Sequence, residues 1–104
     1  MPKKTYTRIL ATIGPSSADE RTISALLDDG ADAFRFNFSH GTREEHKQRY
    51  DIVRRLAEEK GLFTTIVADL QGPKLRVGSF AAGSVVLKEG GEFVLDMKEE
   101  PGNE

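Results

Sequence analysis

The first 70 residues change repeatedly between two spacings of apolar positions. Short apolar runs at 6–14 and 62–70 are typical of buried strands, and residues 31–39 alternate strictly between apolar and polar. Two segments between these runs, 18–29 and 43–60, carry apolar residues at helical spacing. This order predicts a parallel α/β sheet, because consecutive strands run in the same direction only when a crossover such as a helix joins them.

Both predicted helices begin with the spacing of a capping box. Ser17 stands three residues before Glu20, and Thr42 stands three residues before Glu45. A glycine follows each helical segment, as expected at a helix C-terminus. We therefore predict Ser17 and Thr42 as the N-caps.

The pattern changes near residue 80. Two short β-like runs surround the glycines at 90 and 91 in "SVVLKEGGEFVLDM", which predicts a hairpin. We place a boundary near Ser79–Gly83, dividing the chain into 1–79 and 80–104.

The elements before this boundary are too few for a complete barrel, since a closed (β/α)8 barrel takes about 250 residues. Three strands and two helices therefore predict the opening βαβαβ segment of a larger TIM-type barrel, followed by the start of a small all-β domain. If the 104-residue chain stands alone, the open edges of its parallel sheet favour association with other chains.

Composition narrows the classes of function and the compartment. The net charge of −2, from 15 basic and 17 acidic residues, argues against a nucleic-acid-binding surface. The absence of cysteine excludes disulfides and thiolate metal sites, and it is compatible with a reducing compartment. No apolar run reaches the roughly 18 residues of a membrane span. We expect a cytoplasmic location with no membrane partner.

Polar residues follow all three predicted strands, in "TIGPSS", "NFSHG" and "DLQGPKLR". Ligands of parallel α/β folds bind beyond the carboxyl ends of the strands. Arg35, Asn37 and Ser39 share one strand face by their period of two, and we expect their tips to converge near Asp69. Asp69 ends a buried run, where an ionised carboxylate needs a partner or a cation.

Two interpretations of this cluster remain open on spacing alone. Carboxylate, amide and hydroxyl oxygens suit a hard cation, and arginines such as Arg35 and Arg76 suit a phosphate or carboxylate. The alternative is an internal ion pair between Arg35 and Asp69. His40, beside a glycine, is either a turn residue or a ligand contact.

The segments "ILATIGPSS", "FRFNFSHGTREEH" and "ADLQGPKLRVG", in this order, closely resemble the opening of pyruvate kinase over roughly residues 7 to 95. The resemblance implies a TIM-type barrel with a small β domain inserted after strand three. It implies transfer of a phosphoryl group from phosphoenolpyruvate to ADP, a step of glycolysis that yields pyruvate and ATP, with Mg²⁺ bridging the substrates.

The same resemblance implies roles for individual residues. Arg35 matches a residue that binds nucleotide phosphate, His40 matches one near the nucleotide, and Arg76 matches an active-site arginine that helps hold the phosphates. The catalytic lysine and the acidic Mg²⁺ ligands of the family lie on later barrel strands, outside this chain. We therefore expect these 104 residues alone to be inactive.

A monovalent cation site is also implied, with one departure from the potassium-dependent pattern. Its ligands match the side chains of Asn37, Ser39 and Asp69 and the backbone oxygen of Leu70. That pattern has glutamate where this chain has Lys74, and an ammonium there can supply the charge of the cation. We expect K⁺ to be dispensable.

Three hypotheses follow for the chain as a whole. The first is the N-terminal part of a pyruvate kinase, with ADP/ATP and phosphoenolpyruvate/pyruvate as ligands and a homotetrameric parent. The second is a non-catalytic phosphate-binding or interaction module, and the third is one half of a split enzyme.

Overall fold

The computed structural model describes residues 5–103, and its regular elements lie in the first 69. They are, in chain order, β1 (Leu10–Ile13), α1 (Glu20–Asp28), β2 (Ala33–Asn37), α2 (Arg43–Glu59) and β3 (Thr65–Asp69). The strands form one parallel sheet in the order β1-β2-β3. The predicted parallel α/β architecture is therefore confirmed.

The strands are shorter than the apolar runs that predicted them. β1 covers four residues rather than 6–14, because its ladder is limited to the length of β2, pairing Leu10 with Ala33 and Ile13 with Phe36. β2 and β3 are each five residues long for the same reason. A strand ends where its neighbour offers no further backbone groups to pair with.

The core lies between one face of the sheet and the two helices. Phe34 is fully buried and Phe36 is 3% exposed, and both pack against buried aliphatic side chains of the helices. These are Ile23 and Leu27 of α1 and Val53 and Leu56 of α2. Since side chains alternate along a strand, burying these phenylalanines leaves Arg35 and Asn37 on the opposite face.

The predicted N-cap of α2 is confirmed, and that of α1 is wrong. Thr42 forms the complete capping box with Glu45. In α1 the cap is Asp19, whose carboxylate accepts from the Thr22 backbone N–H at 2.9 Å. The Ser17 hydroxyl instead accepts from the Gly14 N–H at 3.0 Å, within the preceding turn. Aspartate caps helices as well as serine does, so the helix begins two residues later than Ser17 predicts.

The chain divides into two units, residues 1–72 and 73–104. The domain assignment 1–79 and 80–104 stays a prediction. In the second unit the predicted turn forms, with the Gly91 N–H donating to the Lys88 carbonyl at 3.0 Å and Gly90 at φ 78°.

The predicted hairpin strands are not shown: residues 73–103 contain no strand ladder and only one isolated bridge, Phe80 with Gly102, and the inserted β domain stays a prediction. A two-stranded hairpin is marginal without further strands to pack its apolar face. Val86 and Val94 are accordingly exposed.

A separate finding concerns membranes: within residues 5–103, the helices are too short and too polar for any of them to cross a bilayer.

Candidate functional site

An ion pair between Arg35 and Asp69 forms the centre of the polar face. Arg35 donates from Nε at 2.9 Å and from Nη2 at 2.5 Å, both to Oδ2 of Asp69. The register brings them together, since Arg35 is central in β2 and Asp69 ends β3 opposite Asn37. Arg35 also makes a long, weak contact of 3.5 Å to the Thr12 hydroxyl on β1. The ion pair that the sequence left open as an alternative is thus present.

Solvent reaches this pair. The side chain of Arg35 is 30% exposed and that of Asp69 is 49% exposed. Exposed ion pairs contribute only about 0–1 kcal/mol, because water competes for both charges. A ligand phosphate is therefore able to compete with Asp69 for the guanidinium, whose donors suit bidentate binding of phosphate.

The loop after β2 forms a compact polar turn. The Asn37 side-chain oxygen accepts from the Ser39 N–H at 3.1 Å, and the Asn37 carbonyl accepts from the His40 N–H at 3.2 Å. The Phe38 N–H donates to the backbone carbonyl of Asp69 at 3.0 Å, which extends the β2–β3 pairing by one bond. The turn therefore holds Asn37 and Ser39 beside the end of β3.

These residues only partly suit a monovalent cation. Their oxygens are of the type that hard cations prefer. However, Arg35 already neutralises Asp69, and the Asn37 oxygen accepts from Ser39. A cation would have to share Asp69 with the guanidinium, which bonds to Oδ2, so the carboxylate is not reserved for a cation. Within the described part of the chain there is also no cluster of three or more His, Cys, Asp or Glu able to hold a metal.

The other predicted site residues are exposed. His40 lies in the loop after β2, and Leu70 is 72% exposed directly after β3. Arg76 and Lys74 belong to the separate unit of residues 73–104, where both are exposed. Their roles stay predictions, as does the nucleotide contact of His40.

Comparison with known proteins gives a consistent result. Residues 4–104 match the sequence model of the family described as "Pyruvate kinase, barrel domain". The chain is 43% identical over 90 residues to pyruvate kinase II of Salmonella typhimurium, covering 86% of this chain and 19% of that protein. It is 42% identical over 103 residues to a pyruvate kinase of Methylorubrum extorquens, covering 99% of this chain and 22% of that protein.

The chain belongs to the pyruvate kinase family. A crystal structure of Cryptosporidium parvum pyruvate kinase matches with a TM-score of 0.70 and 34% identity, over 75% of this chain and 16% of that one. The chain thus spans about a fifth of the length of the pyruvate kinases it matches.

Two residues of this pyruvate kinase segment were missed by the sequence analysis. Thr12 lies beside Arg35 in the β1–β2 register, and its only signal was a polar position inside an apolar run. His46 is 5% exposed, and its Nε2 lies 2.7 Å from the His40 carbonyl oxygen. The sequence could have indicated its burial through helical spacing, since His46 precedes Tyr50 by four residues and Val53 by seven on the apolar stripe of α2.

Proposed function

We propose that this chain forms the N-terminal part of the barrel of a pyruvate kinase, which transfers a phosphoryl group from phosphoenolpyruvate to ADP. The observation that carries the proposal is the family match over residues 4–104. It is supported by Arg35, a partly exposed guanidinium in the middle of the central strand whose donors reach Asp69 at the carboxyl end of β3. That is where ligands bind in parallel α/β folds.

Arg35 is proposed to bind phosphate by exchanging one hydrogen-bond partner, the carboxylate of Asp69, for another, the phosphate. In the absence of ligand the Nε and Nη2 donors of Arg35 bond to Asp69, which keeps the guanidinium oriented across the sheet. An incoming phosphate replaces the carboxylate, at small cost because the pair is exposed to water. Phosphoryl transfer depends on positioning and on neutralising the charge of the transferred group, which is the role of Arg35 and, by the family resemblance, Arg76. His40 is proposed to lie near the nucleotide.

We further propose that the enzyme does not require K⁺. In the absence of ligand Asp69 has a positive partner in Arg35, and once phosphate takes that guanidinium the carboxylate needs another positive charge nearby. Lys74 is proposed to supply the remaining positive charge. The Mg²⁺ ligands and the catalytic lysine are expected outside these residues, so the chain alone is inactive.

Residues 80–104 are proposed to begin the inserted β domain, in a cytoplasmic, tetrameric parent enzyme. The strand ladder that they lack here would then form against the remainder of that domain.

The test is turnover of phosphoenolpyruvate and ADP by a longer natural protein that contains this chain, in K⁺ buffer and in tetramethylammonium buffer. We expect similar rates in both, and a steep K⁺ requirement would contradict the proposed role of Lys74. The 104-residue chain assayed alone should show no turnover. Absence of turnover by the longer protein, with phosphate still bound by the chain, would support the non-catalytic module instead.

Arg35→Lys tests the arginine, because lysine keeps the charge and loses the paired donors. We expect kcat/KM to fall by about 100-fold or more, the size of effect seen when an electrostatic contact to the transition state is removed. Arg21→Lys, an exposed position on α1, is the matched control and should leave kcat/KM unchanged. Equal activity of the two variants would exclude Arg35 from the site.

A further inference from the structure

A buried histidine holds the loop that carries the candidate site residues. His46 lies in the first turns of α2 and is 5% exposed, and its Nε2 is 2.7 Å from the carbonyl oxygen of His40. A carbonyl oxygen only accepts hydrogen bonds, so Nε2 must carry the hydrogen and donate it. The contact therefore places a hydrogen on Nε2 of His46.

Packing alone does not explain a histidine at this position. The ring stacks on Phe38, with centroids 4.4 Å apart and an interplanar angle of 23°, and it lies 6.1 Å from the ring of Phe36. Its Nδ1 is buried and has no hydrogen-bond partner among the described residues. An apolar ring of similar size would fill the same space without leaving a buried polar atom unpaired. The bond from Nε2 to the loop is what a phenylalanine could not provide.

The loop that receives this bond is held by side chains from two sides. The Phe38 carbonyl accepts from the Gln71 side-chain N–H at 2.6 Å, and the His40 carbonyl accepts from His46. Gly41 follows with φ 80°, and a Cβ there would lie 3.2 Å from Nε2 of His46. Only glycine readily combines that backbone conformation with so close an approach to the imidazole.

We propose that His46 is a positioning residue: through the His40 carbonyl it fixes the turn of residues 37–41, and with it the orientation of Asn37, Ser39 and His40. His46 is 5% exposed, so the proposed role acts through the loop and not through a contact with ligand. Gln71 is exposed, so water is able to replace its donor, whereas the side chain of His46 is buried and its bond to the loop is less open to replacement by water. Only the kinetic part of the test below rests on the proposed function.

Three variants separate positioning from packing. His46→Phe keeps the stacked ring and loses the donor, and His46→Gln keeps an N–H donor near the Nε2 position and loses the ring. Val53→Ala creates a cavity at a fully buried position seven residues further along the same helix, and it removes no hydrogen bond to the loop. It serves as the control for general destabilisation.

The structural readout uses the chain itself. Nitrogen-15 NMR of the wild type should show the hydrogen of His46 on Nε2. Amide exchange at residues 38–41, measured relative to residues 10–13 of β1, should accelerate by about tenfold or more in His46→Phe, as expected when one buried hydrogen bond is lost. In His46→Gln and Val53→Ala the ratio of the two rates should stay within about threefold of wild type. A hydrogen on Nδ1 alone, or unchanged exchange in His46→Phe, would overturn the proposal.

The kinetic readout uses the longer enzyme. His46→Phe should raise the KM for ADP by about tenfold and change the KM for phosphoenolpyruvate much less, because the turn it releases carries His40 on the nucleotide side. His46→Gln should restore the KM for ADP, and Val53→Ala should not shift it. Equal effects of His46→Phe and Val53→Ala, or no rescue by glutamine, would show a merely structural role. If the longer protein has no turnover, the proposed function fails while the exchange and tautomer measurements still decide the role of His46.

Discussion

Replacing Asp69 with asparagine should strengthen, not weaken, the binding of inorganic phosphate at Arg35. In the structure Asp69 Oδ2 accepts from two of the five N–H donors of the guanidinium, on Nε and Nη2, so a phosphate that binds this edge must displace it. Asparagine keeps the size and a hydrogen-bond acceptor and loses the charge. The variant therefore removes the competitor without opening space beside Arg35.

The solvent exposure of the Arg35–Asp69 pair sets the size of the expected change in the Kd for phosphate. With side chains 30% and 49% exposed, the pair contributes about 0.2–1 kcal/mol, because solvent screens both charges. Removing this competition should lower the Kd for phosphate by roughly 1.4- to fivefold at low salt. The gain in phosphate affinity from Asp69→Asn should shrink as ionic strength rises, since salt screens the repulsion between Asp69 and the phosphate in the wild type.

The assay is a phosphate titration of the chain, followed through the Arg35 Nε–H resonance. Asp51→Asn is the matched control, because Asp51 pairs with Lys47 on the surface of α2 and carries the same charge. It should leave the Kd unchanged. A Kd for Asp69→Asn that rises tenfold would show instead that Asp69 orients Arg35 for phosphate rather than competing with it.

Three further predictions concern stability, each measured by urea denaturation. Phe34→Ala should cost about 3–5 kcal/mol, because the ring is fully buried in the central strand, whereas Phe63→Ala, at a fully exposed ring, should stay within about 0.5 kcal/mol. Thr42→Ala should cost about 1 kcal/mol by removing the capping box of α2, and no loss would mean that packing alone defines that helix end. The Ile9 N–H holds the pKa of Asp32 below its ordinary 3.8, so the stability from Asp32 is present above that pH and lost as pH falls through the lower native pKa. Asp32→Asn should therefore differ from wild type at pH 6 and converge with it on acidification, and a gap that widens in acid would contradict this.

Local patterns in the chain predicted most of the fold. The five elements of the parallel sheet and its helices follow from apolar spacing, because periods of 2 and 3.6 are imposed by backbone geometry within each segment. The same reasoning placed Arg35 on the face opposite the phenylalanines. It was less accurate where two residues offered the same local chemistry, as when Asp19 rather than Ser17 capped α1.

The sequence also indicated which residues form the candidate site, but it did not indicate which of their side chains pair with each other. Polar residues at three strand ends indicated where a ligand binds. Whether Asp69 faces a cation or Arg35 depends on the register between β2 and β3, which joins residues 34 positions apart. A slip of one residue would turn these side chains to opposite faces.

Local sequence patterns are therefore enough to assign the strands and helices, the polar strand face, and the family to which the chain belongs. The pairing of Arg35 with Asp69, and the burial of His46 with its hydrogen bond on the His40 carbonyl, depend on the packing of the whole fold. The same holds for the β-like runs after residue 80, which form no ladder among the described residues. The physical reason is common to all three. Periodicity is a property of a few neighbouring residues, whereas the partner of a buried or charged group is chosen by what the rest of the fold brings within hydrogen-bond distance.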